Sequence, residues 1–215
     1  MDKVARLGEQ QRVELFRETA ATLGMTPAIV EKDFWVSWIL GRLYQDADLA
    51  RLLMFKGGTS LSKVYGLIER FSEDIDLILD WREVTADNPR AARSKSRQAA
   101  LNQEINEKAR EYIAGDLLAM VSRMVAGICT CDIETQDPHV INIRYPGAFD
   151  DTYLRPEVRL NPAGSESQST GTRDLVINVA ARCSGELPRP RDSDPLSANH
   201  LPMLPNCDSQ GAGYP

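Results

Sequence analysis

Two short motifs in this chain carry residues that could bind a nucleotide together with a metal ion. The first is FKGGTSLSK at residues 55–63, and the second is RFSEDIDL at residues 70–77. The second motif contains Asp74 and Asp76, and residues two apart on a strand point to the same face of a sheet. Two carboxylates held in this way can bind Mg²⁺, which prefers oxygen ligands and nucleotide phosphates. Asp74 and Asp76 are therefore candidate metal ligands and candidate catalytic residues for displacement at phosphorus.

The glycine motif has the features of a phosphate-binding turn. Gly57 and Gly58 have no side chain that would block backbone N–H groups from a phosphate, and a helix that begins at Thr59 would direct its positive end there. Thr59 and Ser60 add hydroxyl donors, and Lys63 adds a positive charge. Such turns are common, but two carboxylates on a core strand are costly to bury without a metal or another partner. Together, in the order strand, turn, helix and strand, the motifs indicate a nucleotide site.

The remaining pattern predicts the elements that position these motifs. Apolar residues at helical spacing predict helices over 8–23 and 27–45, with Gly24 closing the first and Thr26 capping the second. A broad aromatic stripe makes the second helix a core element, and its charged residues are expected on the solvated side: Glu31, Lys32 and Asp33. Strands are expected at 51–55, 74–79, 128–134, 139–145 and 153–160, with a helix over 59–68 and a helical pattern from 83 to 126.

These elements predict an α+β fold, in which flanking helices cover a small mixed sheet. We expect the first two helices on one side of the sheet and the long helix over 101–126 on the other. Residues 1–160 form the predicted folded domain. Residues 161–215 are rich in proline, glycine and polar residues without any regular period, and they are expected to form an atypical, poorly ordered tail.

The composition excludes some classes of protein. With 215 residues and a net charge of -6, the chain does not resemble a protein that coats nucleic acid with its whole surface, although a local basic groove remains open. A cluster of basic residues between 90 and 97 could follow an RNA backbone, but a solvated helix start is the favoured interpretation. The cysteines are expected to be ordinary thiols. No stretch resembles a signal peptide or a membrane span, so we expect a cytoplasmic protein without a membrane partner.

Three segments resemble the AbiEii/AbiGii-type nucleotidyltransferase toxins, which belong to the polymerase-β-like nucleotidyltransferase superfamily. The segments are EKDFWV, FKGGTSLSK and RFSEDIDL, and a looser similarity continues through DPHVINIRYP and LRPEVRL. The resemblance implies a polymerase-β-like core and a Mg²⁺-dependent transfer of a nucleoside monophosphate from an NTP to an RNA acceptor, notably tRNA. It also implies a toxin–antitoxin or abortive-infection system with a cognate antitoxin protein. Its motif positions assign Gly57, Gly58 and Ser60 to the triphosphate, with Lys63 as a further phosphate contact, and Asp74 and Asp76 to the metal.

The chain departs from this family in two places. The resemblance implies a third carboxylate directly after Leu160, but Asn161 stands there. The nearest acid is Glu157, and four residues at roughly 3.3 Å each place it about 13 Å away along a strand. The family's FWEKA-like motif is also missing after Leu160, which leads to the hypothesis that 161–215 is an out-of-frame or degenerate C-terminus. We therefore expect weak or absent transferase activity.

Two alternatives to an RNA-modifying toxin stay open on the sequence alone. One is a catalytically dead homologue that binds only NTP with Mg²⁺, or only an antitoxin. The other is a nucleotidyltransferase that acts on a protein or small-molecule acceptor.

Overall fold

The computed structural model describes residues 1–57, 60, 63 and 73–163. One mixed sheet contains five strands in the order β1-β2-β5-β4-β3. Their bounds are β1 Leu53–Lys56, β2 Asp74–Leu79, β3 Thr130–Ile133, β4 Ile141–Arg144 and β5 Glu157–Ala163. The central pair, β2 and β5, is parallel, and the other neighbouring pairs are antiparallel. The predicted α+β class is confirmed, and the predicted strand over 74–79 agrees with β2 at both ends.

Helices flank this sheet in the described part of the chain. They are α1 Asp2–Ala5, α2 Glu9–Leu23, α3 Pro27–Gln45, α4 Ala47–Leu52, α5 Lys95–Tyr112 and α6 Leu118–Met124, with a π-helical turn over Ile113–Leu117. Gly24 ends α2 in the left-handed conformation, with φ at 67°. The Thr26 hydroxyl accepts a hydrogen bond from the Ile29 N–H at 3.4 Å and so caps α3. Both predicted helix boundaries are confirmed.

Some predicted bounds are wrong, because side chains start helices elsewhere. The strand predicted at 51–55 begins only at Leu53, since the Asp46 carboxylate caps α4 and the helix continues through Leu52. The helical pattern from 83 becomes α5 only at Lys95, where Ser94 caps the helix. The predicted helix over 59–68 lies outside the described residues except for Ser60 and Lys63.

The predicted domain boundary at Leu160 falls inside a strand. β5 continues through Asn161 and Pro162 to Ala163, in parallel register with β2. Residues 161–163 are therefore part of the sheet and not of a tail. The rest of the predicted tail lies outside the described residues.

A single apolar face of the sheet carries the main core. Ile75, Leu77 and Leu79 alternate along β2 and are each at most 1% exposed. Residues of α3 and of the stretch 109–125 join them in one cluster. The prediction that the long helix covers the opposite face is wrong, because that face holds polar side chains that an apolar helix surface would leave unsatisfied. By register, the polar face includes Lys56, Asp74, Asp76, Asn142, Arg159 and Asn161.

The helix α2 packs on α3 through a smaller cluster of Phe16, Ala20 and Val30. Phe149, from the connection between β4 and β5, covers this cluster from outside. None of the helices in the described ranges combines the length and the apolar character that crossing a membrane would require.

Candidate metal and nucleotide site

Asp74 and Asp76 lie on the polar face of β2, beside the parallel strand β5. Asp74 is in register with Arg159, and Asp76 is in register with Asn161 on β5 and with Lys56 on β1. Both carboxylates are half-buried, while the intervening Ile75 is fully buried in the core. The apolar residues of β2 thus anchor the strand, and its two acids are held on the open side.

The glycine motif and the aspartate motif meet at Gly57 and Asp76. Gly57 has φ at 79°, in the left-handed region that a residue with a side chain rarely adopts. A Cβ atom at this position would lie 2.2 Å from the Asp76 Oδ2 atom. Only glycine therefore leaves room for this carboxylate, and the two sequence motifs lie together at this point. The Ser60 hydroxyl donates a hydrogen bond of 2.7 Å to the Gly57 carbonyl oxygen, which stabilises the turn.

The electrostatic environment of Asp74 suits a cation. Burial raises the pKa of Asp74 above its ordinary value, and the charges of Asp76 and Glu73 raise it further. Arg159 and Lys32 oppose this rise through their positive charges. A divalent cation between the two carboxylates would relieve both the burial cost and the repulsion. The two acids therefore fit one Mg²⁺ ion by the chemistry of their oxygen donors.

Asn161 stands at the position where the family resemblance implies a third carboxylate. The Asn161 Nδ2 atom donates a hydrogen bond to the Asp76 Oδ1 atom at 3.4 Å. Glu157 lies four residues earlier on β5 and pairs with Arg144 at 3.7 Å and Arg155 at 3.9 Å. The expectation from the sequence that Glu157 does not replace the missing carboxylate agrees with this register. Within the described residues, no group of three or more His, Cys, Asp or Glu side chains is arranged to hold a metal ion.

Comparison with known protein families identifies the family to which this chain belongs. A family model described as "Nucleotidyl transferase AbiEii toxin, Type IV TA system" matches residues 38–189 of the 215. The chain belongs to the AbiEii nucleotidyl transferase toxin family. The matched range includes Gly57, Asp74, Asp76 and Asn161, and it extends beyond Ala163. No curated protein and no solved structure gives a significant match.

The EKDFWV segment precedes the range that matches the AbiEii model, and its first two charged residues are buried. The prediction that Glu31 and Lys32 lie on the solvated side of α3 is wrong, since they are 1% and 0% exposed. Lys32 donates hydrogen bonds through Nζ to the Glu157 carbonyl at 2.6 Å and the Arg155 carbonyl at 2.7 Å. Its ammonium group also lies 3.6 Å from the Glu73 carboxylate. Lys32 thus ties the start of β5 to the start of β2, where Asp74 lies.

Glu31 binds the connection between β4 and β5. Its carboxylate accepts hydrogen bonds from the Ala148 N–H at 2.9 Å and the Phe149 N–H at 3.0 Å. Burial raises the pKa of Glu31, and these two hydrogen bonds counteract that rise by favouring the charged form. Asp33 is half-buried and pairs with Lys63. The three charged residues therefore tie three separate segments to α3.

The predicted phosphate contacts are only partly described. Gly58 and Thr59 lie outside the described residues, so their assignment to a phosphate stays a prediction. Ser60 is 6% exposed and donates its hydroxyl to the Gly57 carbonyl oxygen. Lys63 bonds Asp33, so it would have to leave this partner to reach a phosphate.

Sequence reasoning missed Arg159 and Asn142, which extend the polar row beyond Asp74. Arg159 lies between Asp74 on β2 and Asn142 on β4 in the register of the sheet. The Asn142 amide donates hydrogen bonds of 3.3 Å to both Asp132 and Glu134. The alternation of polar and apolar residues in VINIR and EVRLN was the signal that could have revealed this row.

The other candidates suggested by the sequence lie away from this row. Arg90 and Arg93 precede α5, while Lys95 and Arg97 lie in its first turn, and no described contact connects them to the aspartates. The favoured interpretation as a solvated helix start agrees with the exposure of Arg90, Lys95 and Arg97. Of the cysteines, Cys129 and Cys131 are described, and both are free thiols.

Proposed function

We propose that this AbiEii-family protein binds an NTP together with Mg²⁺ and transfers a nucleoside monophosphate to an RNA acceptor, with tRNA as the acceptor class. The observation that carries the proposal is the contact of the Asp76 carboxylate with Gly57. Gly57, the first glycine of the glycine motif, thus lies against one acid of the carboxylate pair on the polar face of the sheet, which supports a shared site for phosphate and metal. The family model supports nucleotidyl transfer, and Mg²⁺ and the RNA acceptor are our extension of it.

In this proposal, Asp74 and Asp76 would hold the metal ion. Bound Mg²⁺ would act as a Lewis acid that neutralises charge on the triphosphate. The turn from Gly57 to Ser60 would cradle the phosphates with backbone N–H groups. The acceptor hydroxyl would then attack the α-phosphorus, and pyrophosphate would leave.

Asn161 sets the expected rate. Attack by the acceptor hydroxyl requires a base that accepts its proton, and an amide cannot do this at neutral pH. Asn161 also contributes no negative charge toward a second metal ion. We therefore propose slow transfer by this chain.

The test is incorporation of label from an α-³²P-labelled NTP into purified tRNA, with Mg²⁺ or with EDTA. We expect slow, Mg²⁺-dependent labelling that disappears in both Asp74→Ala and Asp76→Ala. In cells, any growth arrest on expression should require the same two residues. Labelling that persists in both variants would contradict the proposal.

A specific observation also favours the binding-only alternative, namely the amide of Asn161 beside Asp76. In that case, the protein would bind Mg²⁺ and NTP without labelling any acceptor. Labelled protein or labelled small molecules in a cell lysate, with unlabelled RNA, would instead favour a different acceptor.

The partners follow from the family. Its description as part of a type IV TA system supports a cognate antitoxin protein. We expect the protein in the cytoplasm, since NTPs and tRNA are found there. The expected antitoxin can be tested by co-expressing this chain with the protein that the neighbouring reading frame encodes. A cognate antitoxin should suppress any growth arrest that the chain causes.

A further inference from the structure

One aromatic side chain is exposed in the connection between β4 and β5, which leads into the strand that pairs with β2. Tyr153 is 91% exposed, whereas two neighbouring aromatic residues are covered. Tyr145 stacks on Trp35 with ring centroids 5.4 Å apart, and Phe149 packs against the α2–α3 cluster. The same stretch of chain thus packs two rings, each partly buried, against the helices and leaves the third in solvent.

The connection that carries Tyr153 is held by hydrogen bonds on both sides of the ring. Glu31 binds the N–H groups of Ala148 and Phe149. The Asp151 carboxylate accepts hydrogen bonds from the N–H groups of Tyr153 at 2.7 Å and Leu154 at 3.2 Å. The backbone of Tyr153 is therefore fixed while its side chain is free to contact a ligand.

The same connection touches the candidate site. The Glu73 carboxylate accepts a hydrogen bond from the Arg155 N–H at 3.0 Å, and Glu73 directly precedes Asp74. Lys32 binds the Arg155 carbonyl at 2.7 Å from the other side. Tyr153 is two residues before Arg155 in the sequence. Arg155 is bonded to Glu73, and Glu73 is the neighbour of the candidate metal ligand Asp74.

A positive charge accompanies the ring. The Arg155 side chain is 55% exposed, and its only described ion pair is a loose one with Glu157 at 3.9 Å. Glu157 is buried, but 3.9 Å is longer than a hydrogen bond, so the exposed guanidinium keeps N–H donors that can bind a phosphate. Of the acids near Arg155 in the described residues, Asp151 accepts hydrogen bonds in the turn, Glu73 accepts the Arg155 N–H, Glu157 is buried, and Asp150 is exposed.

We propose that Tyr153 is a stacking platform for an unpaired base at the end of the acceptor RNA, with Arg155 contacting the adjacent phosphate. An exposed ring beside an arginine is the combination that binds single-stranded nucleic acid without requiring a particular sequence. This inference rests on the proposed function for its choice of RNA. It adds the location at which the acceptor end enters the site.

The test measures binding of a fluorescent single-stranded RNA pentamer to the full chain by anisotropy, at fixed low salt and without NTP. Tyr153→Ala should weaken binding about 5- to 150-fold, the range expected for loss of one base-stacking contact. Tyr153→Phe and Tyr153→Trp should retain binding, because the ring and not the hydroxyl is the platform. Leu23→Ala is the matched control, since Leu23 is a large apolar residue that is 60% exposed on a different element, α2. When the same binding is measured over a series of salt concentrations, Arg155→Ala should make the slope of log affinity against log salt shallower by about one unit, the effect of losing one phosphate contact.

Three outcomes would overturn this inference. The first is unchanged RNA binding by Tyr153→Ala, and the second is an equal loss in Tyr153→Phe. The third is a loss of Mg²⁺–NTP affinity in Tyr153→Ala with unchanged RNA affinity, which would assign the ring to the incoming nucleotide. Asp76→Asn separates this test from the proposed function, since it should abolish Mg²⁺–NTP binding and leave pentamer binding intact.

Discussion

The Asn161 amide donates a hydrogen bond to the Asp76 carboxylate at 3.4 Å, because β2 and β5 pair in parallel with these two residues in register. A carboxylate at position 161 would therefore lie beside Asp76 on the open face of the sheet. The amide satisfies Asp76 and adds no charge. Under the proposed function, this contact predicts a chain that keeps the carboxylate pair for Mg²⁺ but transfers the nucleotide slowly.

We predict that Asn161→Asp increases RNA labelling by about a hundredfold, because the new carboxylate can accept the acceptor's proton and hold a second metal ion. Asn161→Glu should also increase RNA labelling. The added charge should also lower the melting temperature in EDTA and raise the gain in melting temperature that Mg²⁺ produces. Asn102→Asp, on the exposed side of α5, is the control for charge alone and should leave labelling unchanged.

Gly57→Ala should remove Mg²⁺–NTP binding, because the new Cβ would displace the Asp76 carboxylate. Gly24 provides a matched control, since it also has positive φ but no atom lies within 4 Å of the position that a Cβ would take there. Gly24→Ala should cost roughly 1–2 kcal/mol of unfolding free energy from backbone strain alone. Calorimetric titration and urea unfolding separate the two effects. If both variants bind Mg²⁺–NTP like the unmodified chain, the contact between the two motifs has no functional role.

The raised pKa of Asp74 predicts a stability effect that depends on pH. A carboxyl group whose pKa is higher in the folded state stabilises the fold most fully below 3.8, its ordinary value, and this stabilisation is lost as pH rises through the raised pKa. Charged Asp74 therefore destabilises the metal-free protein at neutral pH.

Asp74→Asn should accordingly raise the melting temperature at neutral pH in EDTA, and the gain should vanish below pH 3.8. The variant should also lose the stabilisation that Mg²⁺ confers on the unmodified protein. Asp116→Asn makes the same change of charge at an exposed position and should show neither effect. A lower melting temperature for Asp74→Asn at neutral pH would show that Arg159 and Lys32 outweigh the cost of burial.

Lys32→Met should lower the free energy of unfolding by about 2–4 kcal/mol, because it leaves the buried Glu157 carbonyl and the partly buried Arg155 carbonyl without their donor. Lys108→Met is the control, since its ion pair with Glu104 is about half exposed on both sides and solvent screening leaves such a pair little effect on stability. Urea unfolding of both variants provides the comparison. Equal effects would mean that Lys32 does not hold β5 against β2.

The strand and helix pattern around the site could be predicted locally, because it depends on neighbours in the sequence. The alternation around Asp74 and Asp76 fixed the face they share, and Thr26 followed by Pro27 marked the start of α3. The close approach of Gly57 to Asp76 could only be suspected from the order of the motifs. Its cause is the antiparallel pairing of β1 and β2, which places Lys56 opposite Asp76.

Burial of Glu31 and Lys32 could not be predicted from local pattern, because their partners lie 117 to 125 residues away in the chain. A periodicity argument assigns charged residues to solvent unless a distant donor or acceptor is known. We predicted that the long helix, which the structure divides into α5 and α6, covers the opposite face of the sheet. This prediction was wrong for a related reason. The polar row through Arg159 and Asn142 forms only when β4, β5 and β2 align, and that row excludes an apolar helix.

The most direct test of the central claim is a titration of NTP into the purified chain with and without Mg²⁺, compared with Asp76→Asn. We predict saturable NTP binding that requires Mg²⁺ and that the variant loses, with both proteins folded by circular dichroism. NTP binding that is unaffected by Mg²⁺ and by the substitution would contradict the assignment of Asp74 and Asp76 as the metal and nucleotide site.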